Sequence, residues 1–104
     1  LIVGYDAAAN ATQMPAHRDS ALVTINVALS DEADYSGGGT LIEASREVVR
    51  MARGHAMCHA SGIRHAGNPI TAGKRWVLVI FVMSRAVPQL AWRCAERAAV
   101  AKAE

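Results

Sequence analysis

Leu22-Val23-Thr24-Ile25-Asn26-Val27-Ala28-Leu29-Ser30 decides the fold. Val23, Ile25, Val27 and Leu29 alternate with Thr24, Asn26 and Ala28. A period of two marks a strand whose faces meet different surroundings. Working outward, short runs of similar character recur, separated by Gly, Pro, Asn and Asp: residues 1–5, 40–43, 47–51, 55–60, 63–66 and 74–83. Many short strands punctuated by turn residues predict an all-β sandwich or barrel. Residues 6–16 and 31–39 read as loops, the second closing on Gly37-Gly38-Gly39. In the strand of residues 74–83, alternation puts Arg75, Val77, Val79 and Phe81 on one face. Lys74, Trp76, Leu78 and Ile80 take the other.

After Pro88 the character changes. Gln89-Leu90-Ala91-Trp92-Arg93-Cys94-Ala95-Glu96-Arg97-Ala98-Ala99-Val100 is rich in helix formers, with a proline near its first turn. A β core over 1–84 and a helical tail over 85–104, packed outside the sheets, are therefore expected. With 104 residues the chain has room for one domain. A first residue of Leu already within a strand pattern reads as a piece of a longer parent, whose remaining domains are expected partners.

The formal net charge is +2, with both signs interleaved, so the basic stripe that phosphate-backbone binding requires is missing and nucleic acid is not the expected partner. The longest apolar run, 76–83, is too short to cross a bilayer, and no membrane partner is expected. Cys58 and Cys94 form no CxxC pair, so neither a zinc knuckle nor a redox motif is signalled. Two lone thiols, or one long-range disulfide, specify no compartment.

The chemistry begins at His17-Arg18-Asp19. On a strand, residues i and i+2 project from one face, so this imidazole and carboxylate can meet one ion. Two histidines and a carboxylate on one face of an octahedron leave three positions open, the facial triad of non-haem iron oxygenases. His-x-Asp alone is weak. It gains weight from His65, which lies ten residues before Arg75 at the start of a strongly apolar strand. A basic side chain deep in a barrel needs an anionic partner, and guanidinium grips a carboxylate through two parallel hydrogen bonds.

Taken together, three segments resemble the iron(II)- and 2-oxoglutarate-dependent dioxygenase domain of the prolyl and lysyl hydroxylase superfamily, nearest the procollagen-lysyl-hydroxylase type. They are residues 17–29, the glycine-rich turn Asp34-Tyr35-Ser36-Gly37-Gly38-Gly39-Thr40, and residues 54–82. The resemblance spans residues 1–84 and implies a double-stranded β-helix, a cupin-like jelly roll. It implies His17, Asp19 and His65 as iron ligands and Arg75 as partner of the distal carboxylate of 2-oxoglutarate. Tyr5 and Thr40 follow as further cosubstrate contacts. The implied cofactors are Fe(2+), 2-oxoglutarate and O2, with ascorbate. The implied reaction hydroxylates a C–H bond of a prolyl or lysyl residue in a polypeptide, releasing succinate and CO2. A small-molecule substrate, and a non-catalytic metal-binding domain on the same scaffold, are the alternatives. The supporting helices and extra strands usual beside one sheet of this fold are not found in the sequence.

Rival readings sit beside these. His59 competes for the third ligand but lacks the spacing to arginine, and is expected to pack behind the site. His55 and His59 at i and i+4 could bind zinc on a helix, yet Gly54 and Gly62 argue for a strand. Gly37-Gly38-Gly39 lacks the Lys-Thr ending of a phosphate cradle and reads as a tight turn. Asn26 is either a satisfied core residue or a pocket residue. Tyr35 is expected to be solvated, and Lys74 to be a solvent-side neighbour of Arg75.

Overall fold

The most apolar run of the sequence is the spine of the fold. The structure, a computed structural model, describes residues 1–84. Its nine strands are β1 (Ile2–Asp6), β2 (Met14–His17), β3 (Val23–Ala28), β4 (Tyr35–Gly37), β5 (Thr40–Ile42), β6 (Glu47–Val49), β7 (Ala56–Ala60), β8 (His65–Gly67) and β9 (Ile70–Val82). A single 3-10 turn, Glu32–Asp34, precedes β4. No α-helix occurs among the described residues. The helical tail expected over 85–104 lies outside them.

Strand β9 pairs with three partners in succession. Its first residues meet β4 (Tyr35 opposite Gly73), its middle meets β1 (Tyr5 opposite Arg75), and its end meets β3 (Thr24 opposite Phe81). The larger sheet runs β1-β9-β3-β7, with β4 also on β9; the smaller runs β2-β8-β5-β6. All pairings are antiparallel. Two facing antiparallel sheets built this way form the double-stranded β-helix, an all-β jelly roll.

Alternation along β3 is realised as read, and the inner face is the polar one. Thr24, Asn26 and Ala28 are buried, while Val23, Ile25 and Val27 turn outward and are only partly covered. On β9, Arg75 faces inward beside the apolar Val77 and Val79, while Trp76 and Ile80 are exposed. Register lines up the outward side chains into apolar rows: Ile2 with Leu78 and Val27, Ile80 with Ile25, Val82 with Val23. The larger sheet thus keeps its polar face for the interior, where it can line a site. The buried apolar cluster is small: Tyr5, Tyr35, Ile70 and Val77, flanked by Val3, Ala7, Met14 and Val79.

Three expectations are corrected. Residues 31–39 are not simply a loop, since β4 lies within them, and Tyr35 is buried rather than solvated, with the Arg50 guanidinium 5.2 Å above its ring. Strand β9 begins at Ile70 rather than at residue 74, because Gly73 does not break it. Gly73 holds φ +78°, and a Cβ there would collide with the Asp34 carbonyl, so glycine lets β4 and β9 approach. Finally, β2 ends at His17, leaving Asp19 just beyond the strand, where its N–H donates to the Ser61 carbonyl at 2.9 Å.

Gly73 and Gly54 separate two costs of removing a glycine. Both hold positive φ, but nothing lies within 4 Å of a Cβ at Gly54. Gly54→Ala should cost about 1–2 kcal/mol, the left-handed penalty alone. Gly73→Ala should cost at least ~2 kcal/mol more, because backbone must also move. Urea unfolding midpoints test this, and equal losses at both positions would refute the close-approach account.

Candidate metal centre

His17 closes β2 and His65 opens β8, and the two are cross-strand partners. Their rings lie 4.4 Å apart, centroid to centroid. Asp19, two residues past the end of β2, reaches back between them. Its Oδ1 is 3.3 Å from His17 Nε2 and its Oδ2 is 3.2 Å from His65 Nε2. One ligand atom from each of the three falls within 4.8 Å of the others.

The tautomers follow from the neighbours. His17 Nδ1 is 2.8 Å from the Pro15 carbonyl and His65 Nδ1 is 2.8 Å from the Ile63 carbonyl. A carbonyl only accepts, so each Nδ1 carries a proton and donates it. Each Nε2 then offers a lone pair unless it is protonated as well. Two such nitrogens aimed at a carboxylate repel it unless a cation, proton or metal, sits among them. Ligands on bonds of ~2.1 Å at right angles stand ~3 Å apart. The two His–Asp separations are close to this, and one atom from each residue lies within 4.8 Å of the others. The donor set therefore fits a divalent ion. Burial would raise the Asp19 carboxyl pKa, but the His17 and His65 rings, when their Nε2 atoms also carry protons, and the Thr24 hydroxyl outweigh it. They hold the group well below the usual carboxylate range, so it stays ionised and able to ligate.

Arg75 opens on the same cavity as the triad. It is 5% exposed, and among the described residues no carboxylate pairs with it. Its Nη1 donates to the Gly39 carbonyl at 3.2 Å and its Nη2 to Thr40 Oγ1 at 3.5 Å. The guanidinium also lies 5.1 Å above the Tyr5 ring, a cation–π contact. Burial raises the Tyr5 hydroxyl pKa above its ordinary value despite the opposing Arg75 charge, so the phenol stays protonated and can donate. Lys74 points the other way, 3.6 Å from Asp6 and largely exposed. Asn26, Val77 and Val79 complete the walls between.

The six residues singled out in the sequence thus line one cavity. His59 does not join the three ligand atoms. Its ring packs 4.5 Å from that of His65, its Nδ1 bonds the Ala60 carbonyl at 2.8 Å, and its buried Nε2 has no hydrogen-bond partner among the described residues. His55 is exposed on the run leading into β7, and no helix supports a zinc pair with His59. Sequence reading missed Thr24, Ser61 and Gly67. Thr24 Oγ1 donates to Asp19 Oδ2 at 2.7 Å. A Cβ at Gly67 would collide with the Tyr5 hydroxyl, so this glycine makes room for the ring beneath Arg75. The alternation of residues 22–30 did place Thr24 on the polar face, which was the available clue.

No family model matches the chain. Over 86 residues it is 34% identical to the procollagen lysyl hydroxylase and glycosyltransferase of Acanthamoeba polyphaga mimivirus, covering 79% of this chain and 10% of that protein. Over 80 residues it is 34% identical to the mouse 2-oxoglutarate and iron-dependent oxygenase domain-containing protein 2, covering 68% of this chain and 22% of that protein. The chain therefore spans between a tenth and about a quarter of the length of these relatives. A cupin protein from Desulfovibrio desulfuricans superposes with a TM-score of 0.46 at 18% identity, over 75% of this chain and 68% of that one. By sequence, the chain is a relative of the iron- and 2-oxoglutarate-dependent oxygenases, the prolyl and lysyl hydroxylase superfamily that its motifs resemble.

Proposed function

We propose that this chain is the metal- and cosubstrate-binding core of an iron(II)- and 2-oxoglutarate-dependent hydroxylase acting on a prolyl or lysyl residue of a polypeptide. One observation carries the reading: a buried guanidinium without a carboxylate partner among the described residues faces the same cavity as two histidines and an ionised aspartate. Taken singly, a buried arginine or a His-Asp pair occurs in proteins of many kinds. Together they describe a receptor for a small dicarboxylate chelated to a divalent ion.

In this reading His17 Nε2, Asp19 and His65 Nε2 hold the iron. Bound there, iron(II) supplies dioxygen chemistry in which the 2-oxo acid is decarboxylated to succinate and CO2 while a substrate C–H bond is hydroxylated. The chain's own residues do the rest. Arg75 grips the distal carboxylate with its fork, kept in place by Gly39 and Thr40 and by the face of Tyr5. The Tyr5 hydroxyl supplies a further donor toward that carboxylate. Val77 and Val79 wall the cavity with apolar surface, which lowers the local dielectric and strengthens the charge pairing. The Nδ1 bonds to Pro15 and Ile63 hold both imidazoles with Nε2 inward, so the ligand geometry is set before metal arrives.

The metal ligands are tested by substitution. His17→Ala, Asp19→Ala and His65→Ala should each weaken iron(II) binding strongly and abolish succinate release, whereas His59→Ala should keep most of the metal. Loss of iron at His59→Ala with retention at His65→Ala would reverse the assignment. A panel of proline- and lysine-containing peptides, read by succinate release, tests the substrate class. Iron and 2-oxoglutarate binding with no turnover on any peptide would favour the non-catalytic scaffold.

The cosubstrate anchor is tested by affinity under anaerobic iron(II). Arg75→Ala should leave iron bound and weaken 2-oxoglutarate binding about a hundredfold or more, the equivalent of losing one side of a buried charge pair at ~3–5 kcal/mol. Arg75→Lys should recover only part, since an ammonium cannot reproduce two parallel bonds. Lys74→Ala, at an exposed position, should be nearly neutral. A large effect at Lys74 with little at Arg75 would undo the pocket assignment.

A further inference from the structure

Asp19 has partners that metal binding does not require. Thr24 Oγ1 lies 2.7 Å from its Oδ2, and Ser61 Oγ lies 2.9 Å from the same Thr24 oxygen. Valence fixes the direction of this chain. A hydroxyl has one hydrogen and an ionised carboxylate has none, so Thr24 must donate to Asp19. Ser61 must then donate to Thr24. The backbone completes the grip, because the Ser61 carbonyl accepts the Asp19 N–H at 2.9 Å and the Ser61 N–H donates to the Leu22 carbonyl at 3.1 Å. Thr24 is 1% exposed and Ser61 0%, so solvent water cannot take the place of either hydroxyl.

The carboxylate is otherwise close to symmetric. Oδ1 faces His17 at 3.3 Å and Oδ2 faces His65 at 3.2 Å. Among the described residues, the Thr24 hydroxyl tells the two oxygens apart by bonding Oδ2 alone. A hydrogen bond of 2.7 Å withdraws charge from Oδ2 and uses one of its lone pairs, leaving Oδ1 the better donor to a metal. The difference matters because a facial triad is useful only while three positions stay open, and a carboxylate chelating through both oxygens would fill one of them.

We infer that Thr24 and Ser61 are positioning residues that make Asp19 bind its metal through one oxygen, keeping the third open position free. The inference rests on the metal centre proposed above. A hydroxyl relay of this kind, rather than a second ionic partner, suits the place: it orients the carboxylate without adding charge to a buried site.

The test uses manganese(II), which can be bound in air, in the wild-type chain and in Thr24→Val, Thr24→Ser and Ser61→Ala. Water-proton relaxation gives the number of exchangeable waters on the bound ion, and titration gives its affinity. Wild type and Thr24→Ser should show three waters, the open positions of a facial triad. Thr24→Val, which keeps the shape and removes the hydroxyl, should show two. Its affinity should fall by less than the ~10–100-fold typical of losing a supporting partner, because a second carboxylate bond replaces what is lost. Ser61→Ala should lie between, and carries the test if Thr24→Val does not fold. Three waters in every folded variant would overturn the inference, as would a weakened Thr24→Val site that still holds three. Manganese that binds equally well to His65→Ala would bring down the metal centre itself, and this inference with it.

Discussion

A guanidinium held inside a barrel of fewer than ninety described residues, with no carboxylate beside it, is the constraint on which the structure turns. Leaving such a charge unpaired costs several kcal/mol, and a domain this small has little stability to lose. Part of the cost is met locally. One carbonyl, one hydroxyl and the face of a tyrosine surround Arg75, each a weaker partner than an anion. These contacts hold the side chain still without neutralising it. A charge held this way, with no carboxylate partner among the described residues, is in the proposed reading one prepared for an external anion.

The inversion of the larger sheet follows from the same demand. Strands β1, β3 and β9 present Tyr5, Thr24, Asn26 and Arg75 to the interior beside Val3, Val77 and Val79, so period two sends the remaining aliphatic residues outward. Ile2, Ile25, Val27, Ile80 and Val82 consequently make the outer face more apolar than the inner one. In an ordinary sandwich the core supplies the stability and the surface the polarity. Here the small cluster around Ile70 carries the core, and cross-strand aliphatic pairs on the outside contribute the rest. The glycines serve this arrangement where backbone must pass close to something large, as at Gly67 beneath the Tyr5 hydroxyl and Gly73 against the Asp34 carbonyl.

What could be read from the sequence was what local periodicity encodes. Alternation in residues 22–30 and 74–83 gave the strand faces, and hence that Arg75 and Lys74 point in opposite directions. The all-β class followed from short strands between turn residues, and the jelly roll from the family resemblance. Less legible were features that depend on distant contacts. Tyr35 stands among Asp, Ser and Gly, a composition that reads as solvated loop, and is buried only because β4 pairs with β9. Gly73 looks like a strand break until the neighbouring Asp34 carbonyl is known. The spacing from His17 suits Asp19 to a strand, but the chain leaves the sheet between them, and Ser61, forty-two residues on, catches it. Thr24 was visible as an inward polar residue, whereas nothing local tied it to Asp19.

The two ends of the cavity explain why it does not close on itself. Asp19 is anionic and Arg75 cationic, and a direct pair between them would satisfy both and fill the space with protein. Register keeps them apart. On the smaller sheet, His65 lies opposite both His17 and Ile42, while Gly67 lies opposite both Met14 and Thr40, two residues further along. Two residues of strand span roughly 7 Å. Asp19 is tied to the first row through His17 and His65 and to the larger sheet through Thr24, and Arg75 is tied to the second through Thr40. Neither can reach the other without breaking these anchors. The fold therefore maintains two opposite charges on the walls of one open cavity. In the proposed reading that arrangement becomes favourable when a cation at one end and a carboxylate at the other are joined through one small molecule.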